Sequence, residues 1–176
     1  MPDKRRKLIL EPQLNPDPEI GRWLAAFQDA RRRTLETLHV LQDLPPAVID
    51  WQPPEGGSSI GTVLYHIADI EADWLYVEVL EQPFPPAVSA LLTYPTRDEE
   101  NRLTQVRGVS LADHLIRLER VRSLALEVYQ AMEPVDFRRA RSLEPYDVSP
   151  EWVLHHLMQH EAEHRSELDR LRRLKI

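Results

Sequence analysis

The chain has 176 residues, 22 Lys and Arg against 29 Asp and Glu for a formal charge of −7, and a hydrophobic fraction of 42%. That composition suits one globular domain with a real core, and the acidic balance argues against nucleic acid or an anionic membrane surface as the main partner. Cysteine is absent, which excludes disulfides, Cys-ligated zinc, Cys-held iron–sulfur clusters and Cys nucleophiles.

The basic start, Lys4-Arg5-Arg6-Lys7, leads only into Leu8-Ile9-Leu10 before Glu11 and Pro12. A signal peptide needs an apolar stretch of about 7–15 residues and a membrane span about 20. The expectation is therefore a solvated tail over 1–16, one domain over 17–176, and a cytoplasmic protein. There are fifteen prolines against five glycines, and apart from Pro2 the prolines punctuate the chain in bunches at 12–18, 45–54 and 83–95, then singly at 134, 145 and 150. Between the bunches apolar residues recur at three- and four-residue spacing, with no convincing strict alternation, so the chain reads as all-α.

The first predicted helix runs from about Asp17 to Asp43, with Asp17 as cap, Pro18 in its first turn and a stripe of Ile20, Trp23, Leu24, Phe27, Leu35, Leu38 and Leu41. The second starts at Ser58 or Ser59, ends near Leu80, and carries Ile60, Val63, Leu64, Ile67, Ile70, Trp74 and Leu75. The long connection from Pro83 to Arg107 is expected to hold a short extra helix around Arg97–Gln105. The third helix is capped by Ser110 and carries Leu111, Leu115, Leu118, Ala125, Leu126, Tyr129 and Met132. The fourth opens on Ser149-Pro150 and ends near Leu174. Four long amphipathic helices joined by proline-rich loops predict a four-helix bundle.

Four of the seven histidines fall in the fourth helix, in the run His155-His156-Leu157-Met158-Gln159-His160-Glu161-Ala162-Glu163-His164. Residues four apart lie one above the other, so His156, His160 and His164 form a ladder, and a histidine pair at that spacing holds two imidazoles close enough for one divalent metal. At about 100° per residue from Val153, His160 falls near 340° and His164 near 20°, in the sector of Leu157 and Leu171. His156 falls near roughly 300°, at the flank, and His155 near roughly 200°, facing away. Two inward imidazoles need partners. They are either core histidines bonded to neighbouring side chains or metal ligands. His66, beside the stripe of the second helix, is the natural third ligand, although alone it reads as an ordinary boundary histidine. Glu161, turned about 100° from His160, is a candidate general base but reads better as a supporting or solvated residue.

Three more charges face inward: Arg31 among Phe27, Leu35 and Leu38; Glu71 between Ile67 and Leu75; Arg122 among Leu118, Leu126 and Tyr129. Buried charges are normally paired, so Glu71 is expected to pair with Arg31 or Arg122; the sharper alternative gives one arginine an anionic substrate group near the metal. Arg32-Arg33 and the cluster Arg138-Arg139 with Arg141 read as solvated faces.

The segment Ser59-Ile60-Gly61-Thr62-Val63-Leu64-Tyr65-His66-Ile67-Ala68-Asp69-Ile70-Glu71-Ala72-Asp73-Trp74-Leu75 resembles the His-centred motif of the DinB-like proteins. Trp152 through His164-Arg165-Ser166-Glu167-Leu168 resembles that family's His-rich last motif, and Trp51-Gln52-Pro53 and the helix spacing extend the likeness over most of residues 17–174. The family commonly has Gly where Ser166 stands and Gln where Glu167 stands. The resemblance implies an up-down-down-up bundle, often a homodimer, with a divalent metal on His66, His160 and His164. Three neutral histidines leave a position for water or substrate, which is the arrangement of a catalytic site. The implied activity is that of a metal-dependent enzyme, a hydrolase or a low-molecular-weight-thiol-dependent transferase, acting on a small molecule with a thiol as potential cofactor. Zn or Ni is the first expectation for the metal, with Fe or Mn as further candidates. The competing class is a non-catalytic metal-binding bundle with a structural or assembly role.

Overall fold

The computed structural model describes residues 9–12, 15, 17–41 and 45–175. The basic cluster 4–7 and the expected end of the first helix at 42–43 lie outside the described residues. The predicted starts are found with their caps. Helix α1 spans Pro18–Leu38, with the Asp17 carboxylate accepting from the amides of Glu19 and Ile20. After a 3₁₀ turn at His39–Leu41 and the short α2 at Pro46–Ile49 comes α3, Ile60–Asp73, capped by the Ser59 hydroxyl and continued as a π-helical segment, Trp74–Val79. The short α4, Pro86–Ser89, precedes α5, Leu111–Gln130, which Ser110 caps. The short α6, Pro134–Arg138, and a two-residue hairpin, β1 (Arg141–Ser142) against β2 (Asp147–Val148), lead into α7, Pro150–Lys175. Each cap satisfies amides that the first turn of a helix leaves without intrahelical partners.

Cross-links between helices give the topology. Arg31 of α1 donates to the Leu118 carbonyl and Arg122 of α5 to the Phe27 carbonyl, so α1 and α5 run antiparallel. Gly61 of α3 faces His114, and Glu71 meets Arg122, so α3 and α5 run parallel. His66 meets His160 while Trp74 meets Trp152, so α3 and α7 are antiparallel. The order α1, α3, α5, α7 is therefore up-down-down-up.

Two expectations fail locally. No helix forms at Arg97–Gln105; the segment turns back on itself through a single bridge between Arg97 and Leu103, with the Asp98 carboxylate accepting from the Glu100 and Arg102 amides. An Asp bonding the backbone two and four residues on favours a turn over a helix. Leu35 is exposed rather than core, because the buried face of α1 runs through Phe27, Arg31, Thr34 and Leu38, with Thr34 in the place the stripe gave to Leu35.

Candidate metal centre

The centre of the bundle is ionic. Arg31 (α1), Glu71 (α3), Arg122 (α5) and Glu161 (α7) are each at most 3% exposed. Arg31 Nε donates to Glu161 Oε1 at 2.7 Å and its Nη2 to Glu71 Oε2 at 2.7 Å. Arg122 donates from Nε to Glu71 Oε1 at 2.7 Å, and from Nη2 to Glu71 Oε2 and Glu161 Oε2, both at 2.8 Å. Two cations and two anions sum to zero, and one residue from each long helix closes the ring. The Arg122 guanidinium also lies 3.4 Å over the Phe27 ring. Glu71 pairs with both arginines, not one. Glu161 is neither a base at the site nor solvated: it is the fourth member of the ring, and both arginines hold it below the usual carboxylate range against the opposing effect of burial. With both guanidinium groups buried and bonded to the ring carboxylates and to the Leu118 and Phe27 carbonyls, neither arginine is available to a substrate anion.

The ring fixes the rotation of α7, and the residue before Glu161 and the one three after it face α3. His160 Nε2 lies 3.2 Å from His66 Nε2. One nitrogen from each of His66, His160 and His164 lies within 4.8 Å of the others. The ring centroids are 5.0 Å apart for His66–His160, 4.9 Å for His66–His164 and 4.5 Å for His160–His164. Tetrahedral ligation at ~2.0–2.1 Å puts neighbouring nitrogens roughly 3.3 Å apart, so the His66–His160 spacing fits a shared ion. The donor chemistry fits too. Burial, with His164 adding to it, holds His66 down to about 4 and His160 down to about 3, so both are neutral, as ligation requires. His66 Nδ1 is buried without a partner, and His160 and His164 keep partial exposure. The three histidines are thus positioned to hold a metal ion that solvent can reach.

His164 Nδ1 lies 3.0 Å from Glu167 Oε2. Its Nδ1–H donates to the carboxylate, which leaves the Nε2 lone pair for the shared space. The sequence reading missed this role, although the i, i+3 spacing on one helix was there to suggest it. His156 is not among the three. Its ring stacks on Trp152, 5.2 Å between centroids and 6° between planes, and sits 4.3 Å from Trp74. His114 was also missed: it is 1% exposed on α5, with Nδ1 3.1 Å from an Arg117 nitrogen and Nε2 unpartnered. Burial, and secondarily Arg117, holds it down to about 4. A Cβ at Gly61 would approach His114 Nε2 to 3.0 Å, so the glycine is what lets α3 pass His114. Arg141 corrects a further expectation: it is 2% exposed, bonding the carbonyls of Val79, Asp136 and Arg139 and the Asp136 carboxylate.

Among the described residues no helix is long and apolar enough to cross a membrane. A comparison with curated proteins found none that matches this chain. The sequence model of the DinB superfamily matches residues 26–168, a span that contains all three histidines and the whole ionic ring, and the chain belongs to that superfamily.

Proposed function

We propose that this protein is a metal-dependent enzyme that uses His66, His160 and His164 as the ligands of one divalent ion, Zn or Ni first, and acts as a hydrolase or a low-molecular-weight-thiol-dependent transferase on a small molecule. The observation that carries the reading is the convergence of three imidazole nitrogens within 4.8 Å on a partly exposed face. Three protein donors rather than four is the pattern of a site that keeps a position for chemistry. A divalent ion held there supplies positive charge that lowers the pKa of a water or thiol beside it. The chain's own residues do the rest. Burial keeps the His66 and His160 imidazoles neutral at working pH. Glu167 fixes the Nδ1–H tautomer of His164. The Trp74 and Trp152 rings pack against His156 and hold it at the flank of the site.

The ionic ring favours catalysis over a structural metal. It already joins all four long helices with paired charges, so the bundle does not need an ion to hold it together. The test is turnover. Protein loaded separately with Zn, Ni, Fe and Mn is incubated with a panel of esters, and with electrophiles plus thiols. Turnover that requires metal and disappears in His160→Ala supports the proposal. Stoichiometric metal with no metal-dependent turnover over the whole panel would favour the non-catalytic bundle instead.

A further inference from the structure

Along Trp74 and Trp152, which pack on His156, the surface opens into a groove of about 640 Å³, within the range of small-molecule sites. Its walls include Trp74, Tyr146 and Trp152, with Arg138 and Asp147 also lining it. Trp152 is 48% exposed and Tyr146 41% exposed. Large aromatics clustered at the surface mark a binding site more often than chance. The rings are ordered against one another: Trp74 lies parallel to Tyr146, 6.1 Å away at 12°, and tilted against Trp152 at 5.4 Å.

Behind this wall lies a buried carboxyl group. The Tyr146 hydroxyl donates to Glu78 Oε1 at 3.0 Å, while Glu78 Oε2 is buried with no partner, in a residue only 6% exposed. A buried carboxyl with a free oxygen either takes up a proton or gains a positive neighbour. Burial, with Asp73 adding to it, raises this one above the usual carboxylate range, and a cation in the groove would hold it ionised. The backbone places it there. Trp74 and Glu78 both sit in the π-helical segment, where the Leu80 amide bonds back five residues to the Leu75 carbonyl at 3.0 Å. Widened turns of this kind are frequent at functional sites, and here Trp74 and Glu78 both meet Tyr146. The cation of the groove, Arg138, is paired with Glu19.

We propose that the groove walled by Trp74, Tyr146 and Trp152 binds an organic cation, an alkylated ammonium head group, over its aromatic faces, with Glu78 as the counter-charge. Aromatic faces attract such cations more strongly than neutral isosteres of the same shape. The groove adjoins the histidines through one ring: His156 stacks on Trp152 and lies 6.0 Å from His160. A bound head group would therefore hold the remainder of the molecule within reach of that face. Only this last point rests on the enzymatic reading above.

The experiment uses choline as the probe cation and 3,3-dimethylbutan-1-ol as its neutral isostere, titrated into metal-free and metal-loaded protein. Binding is read by tryptophan fluorescence and by saturation-transfer NMR. Saturable choline binding in both forms is expected, about tenfold tighter than the isostere, which corresponds to one strong cation–aromatic contact. Trp152→Ala, at an exposed position, and Glu78→Gln, which keeps the Tyr146 hydrogen bond, should each weaken choline at least about fivefold with unchanged circular dichroism. Equal binding of the isostere, tighter binding of 3-phenylpropionate, or no saturation by choline in either form would each overturn the proposal. Cation binding without metal-dependent turnover leaves it standing and counts against the enzyme.

Discussion

Glu161 follows His160 directly in the chain and faces the other way: its carboxylate accepts from Arg31 at 2.7 Å and Arg122 at 2.8 Å, while His160 Nε2 lies 3.2 Å from His66 Nε2. One peptide unit thus joins the ionic ring to the histidine cluster. The ring sets the rotation of α7, and that rotation decides which imidazoles meet.

Breaking the ring should be costly. Glu161→Ala leaves Arg31 and Arg122 short of one anion in a site at most 3% exposed. Removing one partner of a buried pair costs about 3–5 kcal/mol. Urea denaturation of metal-free protein should show a loss of that size, and a loss below about 1 kcal/mol would show that the ring carries little of the stability.

A metal held between α3 and α7 should stabilise the fold by mass action, by roughly 2.7 kcal/mol at a hundredfold excess over Kd. His66→Ala should lower metal stoichiometry and the Tm of metal-loaded protein, while the metal-free proteins differ much less. Equal wild-type Tm with and without metal would count against a bridging ion.

His156→Ala should retain near-normal metal, and His160→Ala and His164→Ala should lose it, because the His156 ring is packed between Trp74 and Trp152. Elemental analysis of the three variants decides the matter. Loss in His156→Ala with retention in His164→Ala would move the site along α7 without abolishing it.

Glu167→Ala should weaken metal binding by about 10–100-fold, since a carboxylate on the far nitrogen of a ligating histidine fixes its tautomer and raises its basicity. Glu167→Gln keeps the acceptor but not the charge and should fall between. Competition with a chromogenic chelator gives the affinities. Unchanged affinity in Glu167→Ala would remove Glu167 from the site.

Acid should destabilise the metal-free protein through His66, His160 and His114, of which His114 is the one that is not a proposed ligand. Its folded value, about 4 from burial first and Arg117 second, lies below the ordinary 6.5. The neutral form is favoured in the fold, so this stability is fully present above pH 6.5 and is lost as pH falls toward 4. The loss amounts to at most roughly 3 kcal/mol over that window. His114→Asn should reduce the pH dependence of urea unfolding there, leaving the share of His66 and His160; an unchanged slope would exclude His114 as a source.

Local signals fixed most of the architecture. Asp17, Ser59, Ser110 and Ser149 each bond the first-turn amides of the helix they precede, because capping depends only on residues two or three apart. Periodicity likewise put His160 and His164 on one face and His156 at the flank, since rotation about a helix axis is a property of that helix alone. It failed at Arg97–Gln105, where Asp98 bonds the backbone into a turn. It failed again at Leu35, where the buried face runs through Thr34 instead.

What lies across the bundle was not legible. Four amphipathic stripes allow several orders of packing, and each order gives a buried charge different neighbours. Only the folded arrangement made Glu161 the fourth member of the ring and Arg141 a buried residue bonded to three carbonyls. It also set His66 against His160 and gathered Trp74, Tyr146 and Trp152 from three separate segments onto one groove. Spacing along the chain determines where a side chain points around its own axis. The partner it meets there depends on the relative placement of other helices, which no single stretch of sequence encodes.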